Sequence, residues 1–337
     1  MTDHPMRLAC IGTGDVADRW LVPALKNIPG TQLWSVCGRD PHRTGAFAAM
    51  HGAAAPSSVY TDLDALLADP ALEAVIIATP DQLHASQTIS AARAGKHVFV
   101  EKPMATSVAD ARAMHAACEA AGVVLQVGYH LRWHQGHHEI VRAMDAGRIG
   151  TVRHVGMRWS YPAENANNWR AQGATGRWWS LAALGTHTMD LAWWMLRKNH
   201  GDIVALHSLC TNGILGSTRD ETTTIALRFA SGVTADITVS VAMPIVRQLE
   251  VYGTTGMIHA EGTLGARGGG RITINATGDL PYARQDPYQT ELTQFVNAIR
   301  DPALGVVGGE DGIRNVELLE LAEQDGWRER ATERRSS

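Results

Sequence analysis

Arg7-Leu8-Ala9-Cys10-Ile11 followed directly by Gly12-Thr13-Gly14-Asp15-Val16-Ala17 decides the reading of this chain. A short apolar run that ends in G-x-G-x-x-A and opens a helical stretch is a strand, a tight turn and a helix N-terminus in succession. Gly12 makes the turn, Gly14 leaves room for a pyrophosphate, and Ala17 lets helix and strand pack closely, with the unbonded amides of the first helical turn facing the phosphates. Gly12, Thr13, Gly14, Asp15 and Val16 are therefore candidate dinucleotide contacts. Pro23 removes a backbone donor inside that first helix, so a kink or an early stop is expected there.

Working outward, apolar segments at Arg7–Ile11, Gln32–Cys37, Ala74–Ala78, His97–Val100 and Val123–Val127 alternate with Ala-rich helical stretches such as Ala85–Ala94 and Ala109–Ala121. That rhythm is βαβ, with crossovers long enough for right-handed connections and helices on both faces of a parallel sheet. After about Arg148 the texture changes. A Trp-rich loop and helix lead into β-branched runs at Thr222–Phe229, Val233–Ser240, Gln248–Tyr252, Met257–Glu261 and Arg271–Asn275, which read as an antiparallel sheet. Two late helices follow near Gln289–Arg300 and Asp311–Gln324. The fold class expected is α/β: an N-terminal Rossmann domain with a parallel sheet (1–127), then a C-terminal α+β domain with an open, mostly antiparallel sheet for substrate binding and oligomerisation (128–327), and a charged tail (328–337). The glycine-rich stretch Gly265–Gly270 reads as a turn.

The 337 residues are 45% hydrophobic and 19% charged, which excludes disordered and fibrous classes. Thirty Lys plus Arg against thirty-four Asp plus Glu give a charge of −4, without the basic excess a nucleic-acid binder needs. Cys10, Cys37, Cys118 and Cys210 are widely separated with no CxxC pair, so buried thiols are expected rather than a metal ribbon or disulfide framework. With no signal-peptide pattern and no long apolar span, a cytoplasmic setting without membrane or nucleic-acid partners is expected.

At the end of the second strand a carboxylate would bind the ribose 2′-hydroxyl of NAD. Here Gly38 and Arg39 follow Cys37. A guanidinium in place of the acid suits a 2′-phosphate, which favours NADP, while Asp40 keeps NAD open.

The stretches Ala78-Thr79-Pro80-Asp81-Gln82-Leu83-His84 and Ala94-Gly95-Lys96-His97-Val98-Phe99-Val100-Glu101-Lys102-Pro103 resemble the glucose-fructose oxidoreductase / inositol dehydrogenase (Gfo/Idh/MocA) family. The likeness continues through Gly128-Tyr129-His130-Leu131-Arg132-Trp133 and Gly147–Gly150 to Gly185-Thr186-His187-Thr188-Met189-Asp190. It implies an NAD(P)-dependent enzyme moving hydride between the nicotinamide and a carbinol or ketone carbon of a sugar, deoxysugar or inositol-like polyol. Lys102 would be the proton donor or acceptor, and Thr79, Pro80, His84, Glu101 and Lys102 would line the cofactor. An ammonium at the carboxyl end of a parallel strand suits that role if its surroundings bring its pKa toward working pH.

Two departures from the family pattern stand out. Relatives carry Asp one helical turn before the second-domain histidine, where this chain has Ala183; His187 remains, with Asp190 three residues on. His130 stands where many relatives have Asn and offers a titratable ring to offset the missing carboxylate. Lys102, His187 and His130 are thus the catalytic candidates. Flat rings beside hydrogen-bonding groups suit a pyranose, which makes Tyr161, Trp169, Trp178 and Trp179, with Tyr129, Arg132 and Asp190, the substrate-binding candidates; Trp193 and Trp194 read as helix core or interface. His134 and His138 share a helical face, but no HExxH or Cys partner accompanies them, so a solvated helix start is expected and no metal. The open sheet could pair with a second copy as a homodimer or homotetramer. Two rival functions are a glycosidase using tightly held NAD for transient oxidation, and a non-catalytic dinucleotide and sugar sensor, which Ala183 keeps open and Glu101-Lys102-Pro103 argues against.

Overall fold

The computed structural model describes residues 4–172, 176–275 and 278–328; most of the charged tail lies outside them. In the first half six strands, β1 (Met6–Ile11), β2 (Thr31–Cys37), β3 (Val59–Tyr60), β4 (Ala74–Ile77), β5 (His97–Glu101) and β6 (Leu125–Gly128), form one sheet in the order β3-β2-β1-β4-β5-β6. Every pairing is parallel. Helices α1 (Val22–Lys26), α2 (Pro41–His51), α3 (Leu63–Leu67), α4 (His84–Arg93) and α5 (Val108–Ala121) make the crossovers. All four residues of β4 are buried, as expected of a strand covered on both faces. Side chains of Asp40, Asp62 and Ser107 cap α2, α3 and α5. The first helix begins at Asp15, passes through a π turn at Ala17–Leu21 and ends at Lys26. Pro23 near the start of α1 accounts for the break, since it supplies no amide to the turn before it.

The second half contains α6 (Gln135–Asp145), β7 (Val152–Pro162), α7 (Thr186–His200), β8 (Ile203–Thr211), β9 (Thr222–Phe229), β10 (Thr234–Ser240), β11 (Ala242–Gly253), β12 (Met257–Glu261), β13 (Arg271–Ile274), β14 (Gly278–Asp279), α8 (Pro287–Arg300) and α9 (Gly309–Gly326). Its eight strands run β14-β13-β12-β11-β7-β10-β9-β8. The central β7–β10 pair is parallel and the other pairings are antiparallel. Strands β7 and β8, which carry Arg153, His154, Arg158 and His207 among their apolar residues, do not show in the sequence pattern.

Helix α8 returns to the first sheet. Leu292, Phe295 and Val296 share one core with Leu8, Cys10, Ile76 and Phe99, and the Phe99 and Phe295 rings meet edge-on at 5.9 Å. On the other face, Ala9, Ile11, Val75, Ile77, Val98 and Val100 belong to a core that continues into the second sheet. The four cysteines are buried free thiols, as their spacing suggests, and burial pushes Cys10, Cys118 and Cys210 up to about 12.

Candidate active site

Sheet order reverses between β1 and β4, so the turns after these strands leave a crevice at their carboxyl ends. The first turn is Gly12-Thr13-Gly14. Gly12 has φ +102°, and a Cβ there would lie 2.6 Å from the Ala78 carbonyl oxygen, so only glycine fits. A Cβ at Gly14 would meet nothing nearer than 3.9 Å, which leaves the space a pyrophosphate requires. The helix opens at Asp15, directly after this turn, and the first amides of a helix have no intrahelical partners. Val16 packs toward the core, while Asp15 is turned outward to an exposed pair with Arg19 at 2.8 Å. The glycine turn therefore fits a dinucleotide.

Around the ribose end, a Cβ at Gly38 would sit 2.5 Å from Thr44 Oγ1, so an acidic side chain at that position would need its neighbour to move. The Asp40 carboxylate is occupied: it accepts the Arg43 amide at 3.0 Å as the α2 cap, and that bond holds its carboxyl below the usual value. Arg43 donates a further bond, at 2.6 Å, to the Thr13 carbonyl. Two arginines, Arg39 and Arg43, thus flank the turn. Arg43 was not foreseen; its signal is its place three residues after the capping Asp40.

On the other wall, Thr79 Oγ1 donates to Gln87 Oε1 at 2.6 Å and Pro80 precedes a 3-10 turn at Asp81–Leu83. His84 is buried, with Nε2 3.0 Å from the Thr79 carbonyl and Nδ1 2.9 Å from the Pro103 carbonyl. It ties the Thr79 loop to the Glu101-Lys102-Pro103 turn, whose 102–103 peptide is cis. Lys102 leaves the end of β5. Its Nζ donates to the carbonyls of Ala182 and Ala183, each at 3.2 Å, and its amide bonds Glu101 Oε2 at 3.1 Å. Those carbonyls belong to a π-helical segment, Leu181–Gly185, whose wider turn displaces carbonyls from regular helical bonding. Two backbone oxygens, and no carboxylate among the described residues, therefore accept the Nζ protons. Burial, then the nearby Arg170 cation, lowers Lys102 to about 7, with Glu101 and Asp81 pulling back upward.

His187 and His130 lie beside this lysine. Their rings meet edge-on at 4.6 Å, and His187 is 5.5 Å from the Trp159 ring. Burial, reinforced by Lys102, lowers His130 to about 3 and His187 well below the usual value, so both are neutral. His130 Nε2 lies 3.2 Å from the Gly265 carbonyl and stacks on Tyr288 at 4.6 Å; donating that bond leaves Nδ1 as its bare nitrogen. His187 Nδ1 is buried without a hydrogen-bond partner.

Several candidates lie elsewhere. Arg132 and Asp190 are spent on each other: the buried guanidinium grips both Asp190 oxygens at 2.8 and 2.6 Å and reaches the half-buried Asp311 at 2.9 Å. They join the 3-10 turn His130–Trp133 to α7 and α9. Tyr129 is fully buried beside that guanidinium. Trp178 and Trp179 are fully buried too; Trp179 forms a small core with Ala171 and Val241. Trp169 is half-buried beneath the Arg170 guanidinium, 4.1 Å from its ring, and Tyr161 lies half-buried against the same small core. His134 and His137 are buried, not solvated as expected: their rings stack at 4.5 Å, and the ring nitrogens of His134 serve the Gly136 amide and the Gly269 carbonyl. Among the described residues no cluster of metal-ligating side chains is present, and no helix is long and apolar enough to cross a membrane.

Residues 6–129 match the family model for oxidoreductases with an NAD-binding Rossmann fold, and residues 137–259 match the GFO/IDH/MocA C-terminal domain. A 1,5-anhydro-D-fructose reductase from Ensifer adhaerens is 30% identical over 321 residues, 91% of this chain and 92% of that protein. The chain belongs to the Gfo/Idh/MocA oxidoreductase family. Another relative, a scyllo-inositol 2-dehydrogenase (NAD(+)) from Bacillus subtilis, is 26% identical across 94% of this chain and 92% of its own length. The crystal structure of an aldose-aldose oxidoreductase from Caulobacter crescentus complexed with glycerol superposes with a TM-score of 0.87. Its identity is 24%, with coverage of 96% and 98%, and that likeness shows the fold. The Gfo/Idh/MocA assignment agrees with the glycine turn, the Glu-Lys-Pro turn and the reversal of strand order between them.

Proposed function

We propose that this Gfo/Idh/MocA enzyme oxidises or reduces a sugar or related cyclic polyol, with NADP(H) preferred over NAD(H) and Lys102 moving the proton. The observation that carries the reading is Lys102 itself: an ammonium at the carboxyl end of β5, held by two backbone carbonyls, with a pKa brought to about 7. Bound on the glycine turn, the nicotinamide supplies or accepts the hydride. Lys102 Nζ gives a proton to the oxygen of a carbonyl being reduced and removes it from a hydroxyl being oxidised. A general acid–base is most effective with its pKa near working pH, which this burial provides.

His187 and His130, neutral and aromatic, line the wall beside Lys102, and His130 Nε2 is bound to the Gly265 carbonyl. The carbonyls of Ala182 and Ala183 orient Nζ, so loss of the familiar aspartate does not silence the lysine and the sensor reading loses its main support. The NADP preference rests on the arginine pair at the turn, the crowded Gly38 and the occupied Asp40 carboxylate. The named reactions of the two sequence relatives above, on an anhydro-sugar and an inositol, support the substrate class.

Absorbance of the reduced nicotinamide across a panel of polyols and ketosugars tests the reading. Net cofactor turnover with at least one member is expected. Tight cofactor binding with no turnover anywhere would favour the sensor, and glycoside cleavage without net turnover would favour the hydrolytic rival.

A further inference from the structure

Arg170 is the cation nearest the catalytic lysine in electrostatic effect, and the hydride-transfer chemistry gives it no task. It sits in a short turn, Trp169–Ala171, capped by the Asn168 side chain, whose Oδ1 accepts the Arg170 amide at 2.9 Å. Ala171 is buried against Trp179 and Val241, and Ser217 Oγ donates to its carbonyl at 3.0 Å. Trp179 leads directly into the segment that holds Lys102, so the turn and the lysine are fixed to the same wall. The guanidinium carbon lies 4.1 Å from the centre of the Trp169 ring, a stack that sets the plane of its donor fork.

The fork is unused. Arg170 Nε is buried without a hydrogen-bond partner, and Arg170 has no ion pair among the described residues. Three other arginines of the second half are held by carboxylates: Arg132 pairs with Asp190 and Asp311, Arg177 with Glu320 and Glu323, Arg314 with Asp202 and Glu317. Glu101, the carboxylate nearest the lysine, is itself buried and bonded to the Lys102 amide. Two cations thus converge on one side of the crevice. Glu101 acts on Arg170 only through space; a guanidinium kept there with no carboxylate bonded to it among the described residues costs free energy that a negatively charged ligand would recover.

We infer that the substrate carries an anionic oxygen group, a carboxylate or phosphate on the sugar frame, received by Arg170 while Lys102 faces the reacting carbon. This rests on the oxidoreductase reading above and narrows its substrate class from neutral sugars to sugar-derived acids. Arg170 is then a specificity residue, and its planar fork can receive either anion through two parallel hydrogen bonds.

The test compares an aldose, its uronic acid and its 6-phosphate with NADP and wild-type, Arg170→Met and Arg170→Lys enzymes. The wild type should turn over an anionic member with kcat/KM roughly 10- to 100-fold above the neutral sugar, the worth of one charge-assisted contact. Arg170→Met should erase that ratio mainly through KM, and Arg170→Lys should restore part of it. Preference for the acid over the phosphate assigns a carboxylate, and the reverse assigns a phosphate. Preference for the neutral sugar, or a ratio unmoved in Arg170→Met, overturns the inference while leaving the oxidoreductase reading intact. If no member is turned over, calorimetry of the uronic acid and the sugar phosphate with the NADP-loaded protein decides. Binding of either that is lost in Arg170→Met supports the inference; binding of neither, or binding that Arg170→Met leaves unchanged, overturns it, and the missing turnover counts against the oxidoreductase reading instead.

Discussion

Lys102 should govern the pH dependence of turnover in opposite senses for the two directions of reaction. Reduction needs the ammonium, so kcat/KM should be flat below about pH 7 and fall tenfold per pH unit above it; oxidation needs the amine and should rise to a plateau through the same value. The two histidines are already neutral there and should add no inflexion. Arg170 is the second cause of the lowered value after burial, so Arg170→Met should move the inflexion upward. One unit charge at an effective dielectric of about 20 is worth on the order of 1–2 kcal/mol at cleft range, or about one pH unit. Glu101→Gln removes a charge acting the other way and should move it downward. Lys102→Met should lower turnover roughly 10²- to 10⁴-fold and flatten the profile. The same lysine also sets a slope in folding stability. Its folded value lies below its unfolded one, so the unfolded chain binds the extra proton between about pH 7 and ~10.4. Stability should therefore rise with pH across that window, and denaturant titrations should lose the rise in Lys102→Met. Rates in both directions from stopped-flow absorbance provide the assay. An inflexion near the ordinary lysine value, or one that survives in Lys102→Met, would refute the reasoning.

Gly12→Ala forces a side chain into the Ala78 carbonyl at a φ that L-residues rarely adopt, and dinucleotide affinity should fall by at least about tenfold in a fluorescence titration, at a stability cost of about 1–2 kcal/mol or more. Replacing Arg39 and Arg43 together with Ala should reduce the ratio of NADP to NAD affinity by roughly 10- to 100-fold, measured by competition between the two cofactors. Asp190→Asn leaves Arg132 a poorer buried partner and should destabilise the fold by about 3 kcal/mol in chemical denaturation. Unchanged stability with a raised sugar KM would return Arg132 and Asp190 to the substrate site.

Much of the first half was legible because its signals are local. Gly12, Ala17 and the strand before them carry the turn geometry in adjacent residues, and a strand covered on both faces reads as an unbroken apolar run. The second half hides its central strand: β7 mixes Arg153, His154 and Arg158 with Val155 and Met157 because its two faces meet different surroundings. Site residues divided in the same way. Lys102 and His187 stand in contiguous motifs. The tryptophans misled because residue type does not report burial: Trp178 and Trp179 fill the core, while Trp169 supports an arginine. Arg132 and Asp190 are 58 positions apart, and only folding reveals that they are each other's partners. The replacement for the missing carboxylate was invisible for a simpler reason: backbone carbonyls leave no mark on residue type.

The most direct test follows an isotope. With a substrate deuterated at its reacting carbinol carbon and one equivalent of NADP, the wild-type enzyme should yield deuterated reduced nicotinamide in step with oxidised substrate, and Lys102→Met should bind the cofactor yet transfer the label slowly. Label absent from the nicotinamide, or transferred equally fast without the lysine, would contradict the account.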